Sequence, residues 1–179
     1  MIKRVVIFGE TRFSRKTYRK MFGNSWIFNQ GICCNQEKAA WLKLCGNLGQ
    51  MSIFKGDLFD EESLLESVGG VGCDVVINLV GISYEVKKHG FYVVHVEIAE
   101  KIAGAAKIKN VPMMIHFSAM GIEISKMLKF TQSKLGGEKA VIAAFSKVVI
   151  IKPSPVFSKK DNFFTKFISN YSSFLTANW

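Results

Sequence analysis

A single glycine follows the first apolar run of the chain, at a position where a nucleotide-binding turn could form. Residues 5–15 read V-V-I-F-G-E-T-R-F-S-R. A turn that binds the pyrophosphate of a dinucleotide lies between a strand and a helix, and it needs more than one glycine. Gly9 is alone here, because Arg12 and Arg15 stand where further glycines are expected. The stretch therefore indicates either an altered nucleotide site or an ordinary strand followed by a loop.

The cysteines and histidines do not have the spacing of metal ligands. No C-x-x-C motif occurs, and two adjacent cysteines make a poor disulfide because the backbone must distort. The cysteines are Cys33, Cys34, Cys45 and Cys73, and the histidines are His89, His95 and His116. This pattern predicts no metal site, and it predicts reduced thiols, as in cytosolic proteins. His116 lies within an apolar run, so we expect it to be packed or hydrogen-bonded inside.

The composition indicates a folded domain. The chain has 179 residues, of which 49% are hydrophobic and 21% are charged. These values favour a packed core over disorder. No apolar run approaches the roughly 18 residues of a membrane span, and residues 1–9 resemble a strand rather than a signal peptide. We therefore expect a cytoplasmic protein without a transmembrane segment.

Positive charge is concentrated in two parts of the chain. The net charge is +10, and lysines and arginines cluster in residues 3–20 and 126–166. A basic surface attracts nucleic acid, anionic lipid or an acidic protein. No nucleic-acid-binding module accompanies the charge. The pattern favours a solvated or partner-facing surface, and we expect no nucleic-acid ligand.

Short apolar runs alternate with amphipathic segments along the chain. Strands are predicted at residues 2–8, 26–32, 51–54, 75–80, 113–117 and 148–151. Helices are predicted at residues 61–68, with Asp60 as the N-cap, and at 94–109 and 130–145. Several strands are apolar on both faces, as in sheets covered by helices on both sides. The alternation predicts an α/β fold with a doubly wound parallel sheet, in which ligands bind beyond the carboxyl ends of the strands.

Five stretches together resemble the short-chain dehydrogenase/reductase superfamily, in its atypical, extended branch. The resemblance is strongest to the accessory subunit of respiratory complex I that has this fold, and to bacterial NAD-dependent epimerase/dehydratase-like proteins. The stretches are D-V-V-I-N-L-V-G-I (74–82), I-H-F-S-A-M-G (115–121), S-K-L-G-G-E-K-A-V (133–141), I-K-P-S-P-V-F (151–157) and D-N-F-F-T-K-F (161–167). The resemblance implies a Rossmann-like NAD(P)-binding domain over residues 1–160. It also implies that the aromatic tail, 161–179, is the remnant of a truncated C-terminal substrate lobe.

The resemblance implies NADP or NAD as the cofactor, with an altered first turn. In this family the turn reads roughly G-G-T-G-F-I-G, which Gly9, Thr11 and Phe13 match. Arg12 places a long side chain where the backbone should approach the pyrophosphate. The alternative is that Arg12 pairs with the pyrophosphate through its guanidinium. The cofactor-binding residues that the resemblance implies are Gly9, Thr11, Arg12, Phe13, Asp57, Leu58, Asn78, Val80, Gly81, Lys134 and Pro153.

The resemblance also implies a catalytic set that lacks one member. Dehydrogenases of this superfamily use a Tyr-x-x-x-Lys pair on one helix and a serine at a neighbouring strand end. The lysine lowers the pKa of the phenol, which then exchanges a proton with the substrate. Here Ser118 and Lys134 match, whereas Phe130 replaces the tyrosine. The alternative for Lys134 is an ordinary exposed helical lysine.

Three functional hypotheses follow. The first is a non-catalytic protein with a degenerate active site that binds a protein partner, for which the resemblance suggests respiratory complex I at the inner membrane. The second is an active NAD(P)-dependent oxidoreductase or epimerase with an unusual acid. The third is a truncated remnant without function. Phe130 and the altered glycine turn favour the first.

Overall fold

A computed structural model describes residues 3–9, 27–33, 35–69, 72–85, 89–124 and 127–154. They form a six-stranded sheet with the strand order β3-β2-β1-β4-β5-β6, and all paired strands are parallel. The strands are β1 (Lys3–Phe8), β2 (Ile27–Cys33), β3 (Met51–Lys55), β4 (Val75–Asn78), β5 (Met113–Phe117) and β6 (Val148–Ile151). This order reverses between β1 and β4, as in a doubly wound sheet. The predicted fold class is confirmed.

Helices connect the strands. They are α1 (Gln36–Ala39), which continues into a 3-10 turn (Ala40–Leu44), α2 (Glu61–Gly69), α3 (Ile98–Ile108), which follows a π-helical turn (Val93–Glu97), and α4 (Lys129–Ala144). The predicted helices 61–68 and 130–145 match α2 and α4 to within one residue, and the predicted helix 94–109 consists of the π-helical turn followed by α3. Asp60 caps α2, because its Oδ2 atom accepts a hydrogen bond of 3.0 Å from the Ser63 amide. The segment 36–44 was not predicted to be helical.

The two faces of the sheet bury cores of different size. Along β1, Val6 and Phe8 point into the larger core, which α2, α3 and α4 cover. Val5 and Ile7 point into the smaller core on the opposite face, where α1 and the 3-10 turn lie. This alternation is the two-residue period of a strand, and it explains why both faces of β1 had to be apolar.

β1 and β4 come very close together beyond their carboxyl ends. Gly9 has φ of +83°, and a Cβ atom there would lie 2.9 Å from the Leu79 carbonyl carbon and from the Val80 nitrogen. A side chain at this position would collide with the backbone, so only glycine fits. β4 was predicted to reach residue 80 but ends at Asn78, because the Asn78 Oδ1 atom accepts the Val80 amide hydrogen at 2.9 Å. That bond turns the chain out of the sheet.

Candidate functional site

A cleft of about 250 Å³ opens at the carboxyl edge of the sheet, between the ends of β4 and β5 and the first turns of α4. Its walls are mostly apolar, and the polar side chains among the lining residues are those of Ser83, Ser118 and Lys134. The lining residues are Leu79, Gly81, Ile82, Ser83, Phe117, Ser118, Ala119, Phe130 and Lys134. The sequence-predicted residues Gly81, Ser118, Phe130 and Lys134 are therefore brought together in one place.

Ser118 is the first residue beyond β5. Its backbone amide donates a hydrogen bond of 2.8 Å to the Ile151 carbonyl, which holds it beside the end of β6. The residue is only 7% exposed, and within the described part of the chain its hydroxyl has no hydrogen-bond partner. A buried hydroxyl without a partner is costly to a fold unless a ligand or water completes it. Ser118 therefore brings an unpaired hydroxyl to the lining of the cleft.

Lys134 is buried rather than exposed. Its exposure is 9%, so its alternative interpretation as an ordinary exposed helical lysine is wrong. The ammonium reaches across the cleft to the loop after β4, since a Cβ atom at Gly81 would lie 3.1 Å from the Lys134 Nζ atom. Gly81 thus leaves the space that the cation occupies. The cleft combines a positive charge with an unpaired hydroxyl.

Phe130 lies one turn before Lys134 on α4. Its ring makes edge-to-face contacts with Phe91 and with His95, each at a centroid distance of 5.5 Å. The ring therefore packs within an aromatic cluster, and it brings no titratable group to the cleft. Tyr84 and Tyr92 are both exposed, and among the described residues no tyrosine lines the cleft.

A buried amide and an imidazole lie beneath the cleft at the ends of β4 and β5. The Asn78 Nδ2 atom donates to the His116 Nδ1 atom at 3.1 Å, because the Asn78 Oδ1 atom already accepts the Val80 amide hydrogen. Burial, and after it the charge of Lys134, lowers the pKa of His116 from its ordinary 6.5 to about 4. His116 is therefore neutral at neutral pH. The prediction that it is packed and hydrogen-bonded inside is confirmed.

A second buried histidine, His95, joins the two walls of the cleft. Its Nε2 atom accepts the Ile82 amide hydrogen at 3.1 Å, and its Nδ1 atom lies 2.8 Å from the Ser133 Oγ atom. The Ser133 hydroxyl in turn donates to the Phe130 carbonyl at 2.7 Å. Sequence reasoning missed this residue. The available signal was its spacing, since His95 lies three residues before the buried Ile98 on the apolar face of one helix.

Behind the cleft, α4 is packed tightly against the turn that carries His95. A Cβ atom at Gly137 would lie 2.1 Å from the His95 carbonyl oxygen, so only glycine allows this approach. Nearby, Lys152 forms ion pairs with Glu123 and with Glu138, the latter at 2.9 Å. Gly137 and Glu138 both lie within α4, and Gly137 allows the helix to pack against this turn.

The other sequence-predicted residues lie outside the cleft. Asp57 is exposed beyond β3, where its Oδ1 atom accepts the Phe59 amide hydrogen at 2.9 Å. β3 is three strand spacings from β4, roughly 14 Å, so Asp57 and Leu58 lie along the same edge but apart from the cleft. The Pro153 carbonyl accepts the Met120 amide hydrogen at 2.9 Å and does not line the cleft.

Several predictions fall on residues outside the described ranges. These are the cofactor contacts of Thr11, Arg12 and Phe13, the position of Arg15, and the aromatic tail 161–179. Within the described ranges, no group of His, Cys, Asp and Glu side chains is arranged to hold a metal ion. None of the described helices has the length and apolarity needed to cross a bilayer.

Two curated proteins show which family the chain belongs to. The chain is 35% identical over 144 residues to NADH dehydrogenase (ubiquinone) 1 alpha subcomplex subunit 9, mitochondrial, of Mus musculus. It is 34% identical over 137 residues to the NADH-ubiquinone oxidoreductase 40 kDa subunit, mitochondrial, of Neurospora crassa. The chain is a homologue of these complex I subunits. These alignments cover 80% and 76% of the chain but only 37% and 36% of the relatives.

Solved structures support the fold. A UDP-glucuronic acid 4-epimerase from Bacillus cereus in complex with NAD superposes with a TM-score of 0.70 and 18% identity, covering 95% of this chain and 64% of that one. No family model matches the chain. The predicted resemblance to the complex I subunit is confirmed, and the solved structures support the predicted Rossmann-like fold. The chain spans little more than a third of the length of the two curated relatives described above.

Proposed function

We propose that this protein is a non-catalytic, NAD(P)-binding-fold homologue of the complex I accessory subunit, which serves through a protein partner and keeps a cleft for the nicotinamide half of a dinucleotide. The observation that carries the proposal is Phe130. The position that supplies a phenol in the superfamily is an apolar ring here, packed edge-to-face against Phe91 and His95. General acid–base catalysis needs a positioned group that exchanges a proton. A phenylalanine has none.

The cleft nevertheless fits the sugar next to a nicotinamide. Ser118 offers a buried hydroxyl without a partner, and Lys134 offers a buried cation beside the space that Gly81 leaves open. Ribose hydroxyls form hydrogen bonds with groups of this kind, and apolar walls pack against a nicotinamide ring. Bound NAD(P) would supply a hydride donor or acceptor. Ser118 and Lys134 would hold it without a tyrosine to move the proton.

Calorimetric titration of the native protein with NADPH and NADH tests the cofactor part. We expect micromolar binding, weakened about tenfold in Ser118→Ala, since one hydrogen bond contributes about 1–1.5 kcal/mol. Ser146→Ala, in an exposed turn away from the cleft, is the matched control. An Arg12→Gly, Arg15→Gly double variant is titrated alongside. Binding that appears only in this double variant would contradict a retained cofactor site.

The partner is the second part of the proposal. The relatives are complex I subunits, and the net charge of +10 favours association with an acidic partner. If the protein has the same partner, a tagged copy expressed in its own cells should co-migrate with complex I on native gels of detergent-solubilised membranes. This result would also place it peripherally at the inner membrane. Migration away from complex I under gentle detergent would contradict this part.

One observation favours the alternative of an active oxidoreductase or epimerase, because Ser118 and Lys134 line the same cleft. An assay of NADPH and NADH oxidation over a panel of carbonyl compounds separates the two functions. We expect no turnover above background in the native protein. Turnover that is lost in Lys134→Met would overturn the non-catalytic assignment.

A further inference from the structure

We propose that His95 is the positioning residue of the cleft, which fixes the separation of its two walls and the place of Lys134 through a chain of hydrogen bonds. The inference goes beyond the assignment of Ser118 and Lys134 as binding groups. The expected effect of His95 on ligand affinity rests on the proposed function. Its effect on the position of the walls and of Lys134 does not.

The first wall is the loop after β4. The Ile82 backbone amide donates to the His95 Nε2 atom at 3.1 Å. Ile82 and its neighbour Gly81 both line the cleft. The hydrogen bond therefore fixes the backbone of this wall by a side chain from another element.

The second wall is the start of α4. The Nε2 atom is an acceptor, so the neutral ring carries its proton on Nδ1 and donates to the Ser133 Oγ atom, 2.8 Å away. The Ser133 hydroxyl then donates to the Phe130 carbonyl at 2.7 Å. Only one neutral tautomer satisfies this order of donors and acceptors. Lys134 follows Ser133 directly, so its position depends on this bond.

The ring itself is buried and packed against an aromatic neighbour. His95 is 2% exposed and stacks on Phe91 at a centroid distance of 5.6 Å and an interplanar angle of 20°. It lies in the π-helical turn Val93–Glu97, and such turns occur often at functional sites because they redirect a side chain. The contact of its carbonyl with Gly137 fixes its backbone as well. A rigid ring between two walls sets the width of the cleft.

Two variants test the proposal. His95→Phe keeps a ring for the stack on Phe91 but removes both nitrogen atoms, and Ser133→Ala removes the bond to α4 while leaving the imidazole. Ser133→Thr keeps a hydroxyl and should behave as the native protein. His89→Phe is the matched control, because His89 stacks on Phe59 and does not line the cleft.

The readout that needs no ligand is the acetylation rate of Lys134, measured by peptide mass spectrometry and normalised to the exposed Lys107. We expect it to rise about tenfold in His95→Phe and Ser133→Ala, as for a barrier lowered by about 1.4 kcal/mol, and not in Ser133→Thr or His89→Phe. Imidazole ¹⁵N spectra of the native protein should show a proton on Nδ1 of His95 and none on Nε2. The opposite tautomer, or unchanged Lys134 acetylation in both variants, would overturn the proposal.

NADPH titration of the same variants separates this proposal from the proposed function. A higher Kd in both variants, with faster acetylation, supports both. Faster acetylation with no NADPH binding by the native protein supports the positioning role and overturns the cofactor role. If His95→Phe does not fold, Ser133→Ala decides alone, because it leaves the buried ring in place.

Discussion

Two histidines are buried beside the same cleft and are held in different ways. His116 lies inside β5, and its partner Asn78 is directly opposite in the register of β4. His95 lies in a π-helical turn, and its partners come from a loop and from α4. The sheet register alone brings the first pair together. The partners of His95 come together only when the π-helical turn, the loop after β4 and α4 pack against one another. The geometry of these hydrogen bonds therefore depends on the close approach of α4.

This difference assigns separate tasks to the two regions. The Asn78–His116 pair lies beneath the cleft, and it should keep its geometry when α4 moves. The hydrogen bonds of His95 connect the two walls of the cleft, and they should break when α4 moves. Changes that shift α4 and changes that charge His116 should therefore have separable effects.

The largest effect is expected from Gly137→Ala. The new Cβ atom would lie 2.1 Å from the His95 carbonyl oxygen, so α4 must move outward. Overpacking of this kind costs about 3 kcal/mol or more when backbone is the obstacle. Urea unfolding should show this loss, and Lys134 acetylation should accelerate while the Asn78–His116 pair stays formed.

Gly104→Ala is the control for helix propensity. Gly104 lies within α3, and a Cβ atom there meets nothing within 4 Å. Alanine is favoured over glycine in a helix interior by about 1 kcal/mol. This variant should therefore be more stable than the native protein. Similar stability of the Gly137→Ala and native proteins would contradict the tight packing of α4.

The next effect is the pH dependence of stability that comes from His116. Its pKa is about 4 in the folded protein and 6.5 when unfolded, so unfolding takes up a proton between these values. The contribution is fully present above pH 6.5 and declines as the pH falls toward 4. The loss amounts to about 3 kcal/mol, since one pKa unit is worth about 1.4 kcal/mol.

Urea unfolding at pH 7.5, 5.5 and 4 measures this loss. His116→Gln keeps an acceptor for the Asn78 amide but does not titrate, so its stability should fall less between pH 7.5 and 4. The difference between the two proteins isolates His116 from the carboxylates. Equal slopes would mean that His116 is not held neutral in the sheet.

The sequence predicts the His116 region better than the His95 region, for a physical reason. Strands such as V-V-I-N and V-V-I-I are strongly apolar runs, so their presence follows from the local pattern. The residues at their ends, Asn78 and Ser118, could be assigned to the same sheet edge. The depth of Lys134 could not be predicted, because a lysine on a helix is usually exposed.

The role proposed for His95 depends on contacts of its turn with a loop and with α4, and neither a sheet register nor a local period encodes them. The same limit applies to the segment 36–44, where a four-residue α-helix changes into a 3-10 turn and no single helical period runs through the segment. Tertiary packing decides both. For the turn after β1, the structure explains why Gly9 must be a glycine. The substitutions that follow it cannot be compared with the structure, because residues 10–26 lie outside the described ranges.

The smallest effects are expected at the charged contacts of α4, and they decide what holds the helix in place. Lys152 contacts the buried Glu138 and the exposed Glu123, and its hydrogen bond lowers the pKa of Glu123. Exposed ion pairs contribute little because water screens them. Glu123→Gln should therefore leave Tm unchanged, and Glu138→Gln should lower it by a few degrees at most. If Glu138→Gln destabilised the protein as much as Gly137→Ala, the position of α4, and with it Lys134, would depend on charge rather than on the packing against His95.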